Sequence, residues 1–191
     1  MGTDTSSETR WDVSGQVVFI RPATPEDIPS IEALITSSAR VLGATDYTVA
    51  EIEAALRGAW GVDTEMIRDG TYFLGLTDTL IIAGGWSRRE TAFGGDAYDQ
   101  RESRLLDPAS EAARIRAFFV HPAWARRGLG SQLLTWCEHH ARSAGFSRVE
   151  LVATLPGERL YARHGYVSSG RQRYELPGGT YIDFVPMHKD F

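Results

Sequence analysis

The sequence predicts an α/β fold in which a twisted sheet of mixed strand direction, with about seven strands, is flanked by about four helices. Runs of β-branched and aromatic residues recur along the 191 residues, and amphipathic stretches with helical spacing lie between them. One strand–helix–strand unit over residues 114–153 requires two parallel strands, whereas short turns typical of antiparallel hairpins join residues 71–76 to 80–86 and residues 166–176 to 180–187.

Composition is that of a globular domain, with 42% hydrophobic and 24% charged residues. Residues 1–15 are polar and rich in Ser and Thr, so we expect a flexible tail followed by a single domain over residues 16–191. The net charge of -5 disfavours general nucleic-acid binding. There is no apolar signal region and no run of membrane-spanning length, and the one cysteine, Cys137, lies on an apolar helix face; a cytoplasmic location is therefore expected.

One strand and two helices are predicted in the first quarter of the chain. The strand covers residues 17–20. Thr24 is then a good N-cap residue, and Pro25 suits the first position of a helix because it lacks the N–H that such a position leaves unpaired. Thr48 and Glu51 have the spacing of a capping box and predict the start of a second helix.

A hairpin and a long irregular segment follow. Residues 71–76 and 80–86 are predicted to form the two strands of the hairpin. The Gly84–Gly85 pair would weaken the second strand or place a bulge in it. Residues 88–112 show no regular pattern, and a loop of this length is either functional or disordered. Four arginines in or near this segment alternate with acids and are expected to pair at the surface: Arg101, Arg104, Arg114 and Arg116.

The centre of the chain is a strand over residues 115–120, a helix beginning at Leu129, and a strand over residues 148–153. Apolar residues of the helix recur at the three- and four-residue spacing of a helix laid on a sheet. The last predicted elements are a short helix over residues 158–164 and a hairpin of residues 166–176 and 180–187.

The joint between the central strand and helix has the features of a diphosphate site. A helix N-terminus offers unpaired N–H groups and partial positive charge. Gly128 and Gly130 would let a phosphate approach the main chain, while Arg126, Arg127 and Ser131 add charge and a hydroxyl donor. The alternative is that the two glycines only shape a turn and that the arginines are solvated surface charge.

Two common phosphate motifs are excluded at this joint. A P-loop needs a lysine after its glycines, and the chain's one lysine is Lys189. The dinucleotide fingerprint needs a third glycine where this chain has Leu133.

Two motifs in this chain resemble those of the GNAT family of N-acetyltransferases. The first is RRGLGS at residues 126–131, preceded by FVHP, which is similar to the family's acyl-coenzyme A signature Gln/Arg-x-x-Gly-x-Gly/Ala. Its leading Gln or Arg falls on Ala125, so one side-chain contact is lost and the main-chain part is kept. The second is ERLYARHGY at residues 158–166, which places Tyr161 and Tyr166 on the family's tyrosine and aromatic positions.

The resemblance implies that acetyl-CoA is the acyl donor and that Tyr161 is the acid that protonates the leaving thiolate. A phenol has a pKa of about 10, close enough to that of a thiol for this role; the alternative is that Tyr161 only packs between helix and sheet. The residues implied to hold the donor are Phe118, Phe119 and Val120 along its pantetheine arm, and Arg126, Arg127, Gly128, Leu129, Gly130 and Ser131 at its diphosphate.

Direct attack by an amine needs the amine to be neutral. Deprotonating a lysine-like amine of pKa about 10.4 costs about 4.6 kcal/mol at pH 7, so a base or a water path is useful. Glu150, His121 and Glu111 are the candidate bases, and a chain of waters is an equal alternative. The HExxH spacing of a zinc site is absent, and no metal is expected.

Two functions fit these observations. The first is an N-acetyltransferase that acetylates a primary amine of a small molecule or peptide in a ternary complex with acetyl-CoA. The second is a catalytically silent module of the same fold that binds or senses acyl-CoA. Neither nucleic acid nor a membrane is expected as a partner, and the protein is expected to be a monomer or a homodimer.

Overall fold

One nine-stranded sheet forms the centre of the computed structural model, which describes residues 9–97, 103–176 and 178–191. The predicted mixed sheet flanked by helices is confirmed, with nine strands in the described residues in place of about seven. The strands are β1 Thr9–Val13, β2 Gln16–Pro22, β3 Tyr72–Leu76, β4 Leu80–Ser87, β5 Ala113–Val120, β6 Arg148–Thr154, β7 Val167–Ser168, β8 Gln172–Leu176 and β9 Thr180–Asp190. The helices are α1 Ile28–Leu42, α2 Val49–Leu56, α3 Thr64–Arg68, α4 Leu129–Ser143 and α5 Glu158–Arg163.

The strand order is β1-β2-β3-β4-β5-β6-β9, with β7 and β8 both paired to β9. Neighbouring strands are antiparallel except β5 and β6, which the crossover helix α4 connects in parallel, as predicted. No helix in the described parts of the chain is both long enough and apolar enough to cross a bilayer.

The predicted tail of residues 1–15 is wrong for its second part, because Thr9–Val13 form β1, paired with β2. Ser14 and Gly15 have φ of 55° and 79°, as in the two-residue turns that match the twist of a hairpin. Val13 is buried and Trp11 packs against the same core. Residues 1–8 lie outside the described residues, and the domain boundary at residue 16 stays a prediction.

Helix starts follow the predicted capping residues. The carboxylate of Asp27 accepts a hydrogen bond from the Thr24 amide at 2.8 Å, and one turn of 3-10 helix separates Thr24 from α1. The Glu51 carboxylate accepts from the Thr48 amide at 2.7 Å, which completes the capping box of α2. Both contacts satisfy N–H groups that a helix start leaves unpaired.

The predicted strand over residues 166–176 is divided into β7 and β8. Both run antiparallel along β9, and residues 169–171 interrupt them. Gly170 has φ of 86°, which a strand does not allow, and its amide donates to the Ser168 hydroxyl at 3.0 Å. Pro177 of the predicted turn lies outside the described residues.

The sheet has a hydrophobic core on each face. Helices α4 and α5 cover one face, with Leu133, Cys137 and Tyr161 packed on the strands; the expectation that Cys137 is a core residue is confirmed. Helices α1, α2 and α3 cover the other face, where Ile31 and Ile52 are buried. We call these the α4/α5 face and the α1–α3 face.

A bulge in β5 reverses which face its side chains occupy. Ala117 has φ of 57°, and the pairing of β5 with β4 shifts register between Ala83 and Gly85. The extra residue is in β5, so the bulge predicted for the strand of Gly84 and Gly85 lies instead in the strand opposite them. Beyond the bulge, Phe118 and Val120 pack on the α4/α5 face and Phe119 packs on the α1–α3 face.

The two parallel strands pair only at their start. Ala113 lies opposite Val149 and Arg114 opposite Glu150, and no further pair joins β5 to β6 in the described residues. Beyond that point β5 stays with β4, whereas β6 stays with β9 as far as Thr154. A wedge-shaped gap therefore opens through the sheet, and no strand of the described residues pairs with the β5 edge along it.

Residues 88–97 of the irregular segment are fastened to the rest of the fold. The Arg89 guanidinium binds both carboxylate oxygens of Asp69, at 2.7 and 2.9 Å. The amide of Gly95 donates to the Gly58 carbonyl at 3.2 Å and that of Asp96 to the Val62 carbonyl at 2.9 Å. This part of the segment is thus an ordered cover on the loop between α2 and α3. Residues 98–102, including Arg101, lie outside the described residues.

A buried ion pair joins β5 to α3. Arg116 Nη1 lies 2.6 Å from Asp63 Oδ2, and their side chains are only 4% and 1% exposed, so the expectation that Arg116 pairs at the surface is wrong. Asp63 also accepts from the amides of Glu65 and Met66 at the start of α3. Each charge is costly to bury unless the other is present.

The Arg116→Met variant should lower the free energy of unfolding by about 3–5 kcal/mol, because it leaves the Asp63 carboxylate buried without its cation. The double variant with Asp63→Asn should recover part of this loss, since the amide can still cap α3. Urea denaturation measures both. The control Arg148→Met breaks an exposed pair with Asp190 and should cost about 1 kcal/mol or less. Equal losses of unfolding free energy in Arg116→Met and Arg148→Met would contradict the burial of the Arg116–Asp63 pair.

The bulge is tested by glycine substitution. Ala117→Gly should leave the free energy of unfolding unchanged or raise it by up to about 1 kcal/mol, because a residue with a Cβ is strained at positive φ. Ala113→Gly, at a buried position of ordinary conformation in the same strand, should lower it by about 1 kcal/mol or more. Similar losses in the two variants would show that Ala117 is not in the left-handed region.

Candidate functional site

A small cavity of about 80 Å³ lies in the gap between β5 and β6. Residues from both faces of the sheet line this cavity, because the gap passes through the sheet. Phe118 and Tyr161 reach it from the α4/α5 face, whereas Trp60, Phe93 and Phe184 reach it from the α1–α3 face. The other lining residues are Ala59, Gly61, Ala92, Gly94, Ile115, Arg116, Ala117, Phe119, Val152 and Thr154.

Tyr161 is held at the α4/α5 end of the cavity by aromatic contacts. Its ring meets those of Phe118 and Tyr166 edge to face, with centroids 6.3 and 5.7 Å apart. Burial raises the pKa of the Tyr161 hydroxyl above its ordinary value. The hydroxyl has no hydrogen-bond partner among the residues that the structure describes. A protonated phenol at this position is able to donate to a group in the cavity.

The N-terminus of α4 is uncapped. Its N-cap residue, Gly128, has φ of 87°, and the first hydrogen bond of the helix joins the Gln132 amide to the Gly128 carbonyl at 3.0 Å. The amides of Leu129, Gly130 and Ser131 have no acceptor within the described residues. No acidic residue lies in the first turn. The electrostatic requirements of an anion site are met here.

The approach to this helix end is open. A Cβ built on Gly128 would meet no atom within 4 Å, so the predicted cradle is not filled by side chains. Arg126 is exposed and has φ of 64°, and the guanidinium of Arg127 lies 5.0 Å from the Trp124 ring. On the other side, a Cβ on Gly130 would lie 3.1 Å from Leu160, which brings the start of α4 against α5 and its Tyr161.

None of the candidate bases lines the small cavity. The Nδ1 atom of His121 accepts from the Ala123 amide at 3.2 Å and shapes the turn after β5. Glu111 is half-buried, and hydrogen bonds from Arg104 and the Asp107 amide lower its pKa to about 2, so it is a weak base. Glu150 forms an ion pair with Arg114.

Glu150 lines a second, larger cavity of about 340 Å³ on the α1–α3 face. Ala92 and Val152 line both cavities, so the two adjoin. Polar side chains of the larger cavity include Gln172 and His188.

The aromatic wall on the α1–α3 face was not predicted from the sequence. Trp60 lies in the loop between α2 and α3, Phe93 in the irregular segment and Phe184 in the last strand. Their separation in the chain leaves no local pattern that could have linked them. The one available signal was the cluster of Gly and aromatic residues at 93–95 within a charged segment.

Comparison with known proteins identifies a family. A family model described as the Acetyltransferase (GNAT) family matches residues 49–166. A comparison with curated proteins gave no match.

Similar solved structures include a GCN5-related N-acetyltransferase from Rhodopseudomonas palustris, which is 19% identical with a TM-score of 0.66 over 90% of this chain and 94% of that one. PaiA N-acetyltransferase from Thermoplasma acidophilum, in complex with coenzyme A, is 16% identical with a TM-score of 0.58 over 91% and 99%. YncA from Salmonella typhimurium, with its cofactor acetyl-CoA, is 16% identical with a TM-score of 0.59 over 91% and 93%.

At such identities these structures show the fold. The family model covers more than half of the 191 residues. This chain belongs to the GNAT acetyltransferase family.

Proposed function

We propose that this protein is an N-acetyltransferase that moves an acetyl group from acetyl-CoA to a primary amine of a small molecule or peptide, by direct attack in a ternary complex. The observation that supports it most is the open, uncapped start of α4 beside a cavity that passes through the sheet and ends at the Tyr161 ring. The proposal includes a single catalytic domain over residues 16–191, to whose sheet β1 adds an edge strand.

The residues at the start of α4 fit the diphosphate of the donor. The amides of Leu129, Gly130 and Ser131 would bind its oxygens, and Arg126 and Arg127 would add positive charge. A donor with an adenosine diphosphate body needs the open space beside Gly128, which any side chain there would reduce.

The unpartnered edge of β5 fits the pantetheine arm, along Phe118, Phe119 and Val120. Main-chain groups on such an edge are free to pair with amides of an extended ligand. The Val120 amide is already engaged, since it donates to the Ser38 hydroxyl at 3.3 Å. The bulge divides the three side chains between the two faces of the sheet. We therefore assign the pantetheine arm to the main chain of β5 and to the α4/α5 face, where Phe118 lies.

Acetyl-CoA supplies an acyl group already activated as a thioester. The amine nitrogen forms the new bond to the acyl carbon as the carbon–sulfur bond breaks, and Tyr161 donates its proton to the leaving sulfur. The described lining of the small cavity contains no Asp, Glu or His. The ammonium form of the amine therefore loses one proton to water before attack, and the nitrogen loses a second to water as the amide forms. Tyr161 regains its proton from solvent.

A carboxylate at the start of α4 tests the diphosphate site. Ser131→Asp should weaken acetyl-CoA binding at least about tenfold in calorimetry, because the new charge repels the diphosphate and occupies the free amides. The same change should leave the melting temperature unchanged or higher, since an acid favours a helix N-terminus. The control His139→Asp adds the same charge at an exposed position farther along α4 and should retain affinity. Equal acetyl-CoA affinities of the two variants would show that the diphosphate does not bind at this site.

Removal of the Tyr161 hydroxyl tests the acid. Tyr161→Phe should lower kcat at least about tenfold with the acetyl-CoA Kd unchanged, because the hydroxyl acts on the leaving group. Tyr166→Phe, which alters the neighbouring ring but not the lining of the small cavity, is the matched control. Unchanged turnover in Tyr161→Phe would exclude it as the acid.

The pH dependence has a definite sign. Burial raises the pKa of Tyr161 above the ordinary value of about 10, so the proton donor is retained through neutral and moderately alkaline pH. With no carboxylate or imidazole in the described lining, kcat/KM should rise with pH as the amine deprotonates and should not fall before about pH 10. A fall between pH 7 and 9 in steady-state assays would contradict the assigned acid.

A further inference from the structure

We propose that the acceptor is a primary amine joined by a short chain to an aromatic or other apolar group, and not a polyamine or another polycation. The inference rests on the N-acetyltransferase proposed above. It follows from the walls of the two adjoining cavities and from their charges.

The acceptor must come from the α1–α3 face. The open start of α4 and Tyr161 both belong to the α4/α5 face, which the donor would occupy. The small cavity passes through the sheet and is bounded on the opposite face by Trp60, Phe93 and Phe184. An amine that meets the thioester in the gap therefore has its body against these three rings.

The wall on that side is a continuous aromatic cluster. The Phe184 ring centroid lies 6.3 Å from that of Trp60 and 5.6 Å from that of Phe93. Tyr174 continues the cluster, 5.1 Å from Phe93. Such rings remove apolar area from water and favour a flat or apolar guest.

The wall is held in place by close backbone contact. A Cβ on Gly95 would lie 2.6 Å from the Gly61 Cα, so the two chain segments touch without side chains between them. Hydrogen bonds from Gly95 to Gly58 and from Asp96 to Val62 fix the same contact. Phe93 is thereby positioned against Phe184, which gives residues 88–97 a role in the site.

The charges of the small cavity disfavour a second ammonium group. Among its described lining residues the one ionised side chain is Arg116, a cation. Its charge is matched by Asp63, and its Nη2 donates to the Gly94 carbonyl at 2.6 Å. No carboxylate in that lining is left to neutralise an incoming cation, and an ammonium that loses water without an acidic partner is strongly disfavoured.

The larger cavity does not supply the missing acid. Its carboxylate, Glu150, is bound to the Arg114 guanidinium on the neighbouring strand. Gln172 and His188 complete a polar but not an acidic wall. This cavity suits a neutral polar end of the acceptor, beyond the part that lies against the aromatic wall.

An amine panel tests the inference. With the full-length protein and saturating acetyl-CoA, thiol release is followed for phenethylamine and tryptamine and for putrescine and spermidine. The kcat/KM for phenethylamine should exceed that for putrescine by at least about tenfold. Equal or faster turnover of the polyamines would overturn this inference while leaving the proposed function in place. Absence of thiol release with every amine, peptide N-termini included, would overturn both.

A carboxylate introduced into the aromatic wall gives a second readout. Phe93→Glu places a carboxylate beside Phe184 and should shift the putrescine-to-phenethylamine ratio of kcat/KM by about tenfold or more toward putrescine. Phe93→Leu should keep the preference for phenethylamine, because the wall stays apolar. The control Tyr181→Glu changes an exposed aromatic residue outside both cavities and should leave the ratio unchanged. The Kd for acetyl-CoA reports whether each variant is folded. An unchanged ratio in folded Phe93→Glu would overturn the assigned wall.

Discussion

The separation of β5 from β6 is the constraint on which the site depends. Parallel neighbours normally stay hydrogen-bonded along their length, but here the pairing ends after Arg114 and Glu150. Three residues further along β5, the positive φ of Ala117 marks a bulge that moves the later side chains to the opposite faces. A sheet that would otherwise separate two cores is thus open at one place, and a donor and an acceptor bound on opposite faces are able to meet.

In the proposed site, each face contributes through a different kind of interaction. On the α4/α5 face the contribution is electrostatic and comes from main-chain amides at a helix start, which need only an open approach and no acid nearby. On the α1–α3 face it comes from packing, because the rings of Trp60, Phe93 and Phe184 lie on separate parts of the chain. The buried pair of Arg116 and Asp63 holds those parts together at the gap and leaves the charge of the cavity balanced.

Features with a local cause were predicted from the sequence. The apolar spacing of α4, the capping residues Thr24 and Thr48, and the strand–helix–strand unit each depend on residues within a few turns of one another. The glycines at the start of α4 also form a local motif. The structure leaves that helix end open and uncapped, and the diphosphate cradle there stays a prediction.

Features with a distant cause were not predicted. Arg116 resembles a surface arginine until Asp63, far earlier in the chain, is brought against it. The bulge is at an alanine, where composition gives no sign of a left-handed residue. Strand β1 was not predicted, because its turn is short and the residues around it are polar, although Val13 is buried.

A crystal structure of the protein with acetyl-CoA tests the central claim most directly. The account predicts the diphosphate within hydrogen-bond distance of the amides of residues 129–131, and the thioester in the gap between β5 and β6 beside Tyr161. A donor bound elsewhere, or a gap closed by pairing of the two strands beyond Arg114, would contradict it.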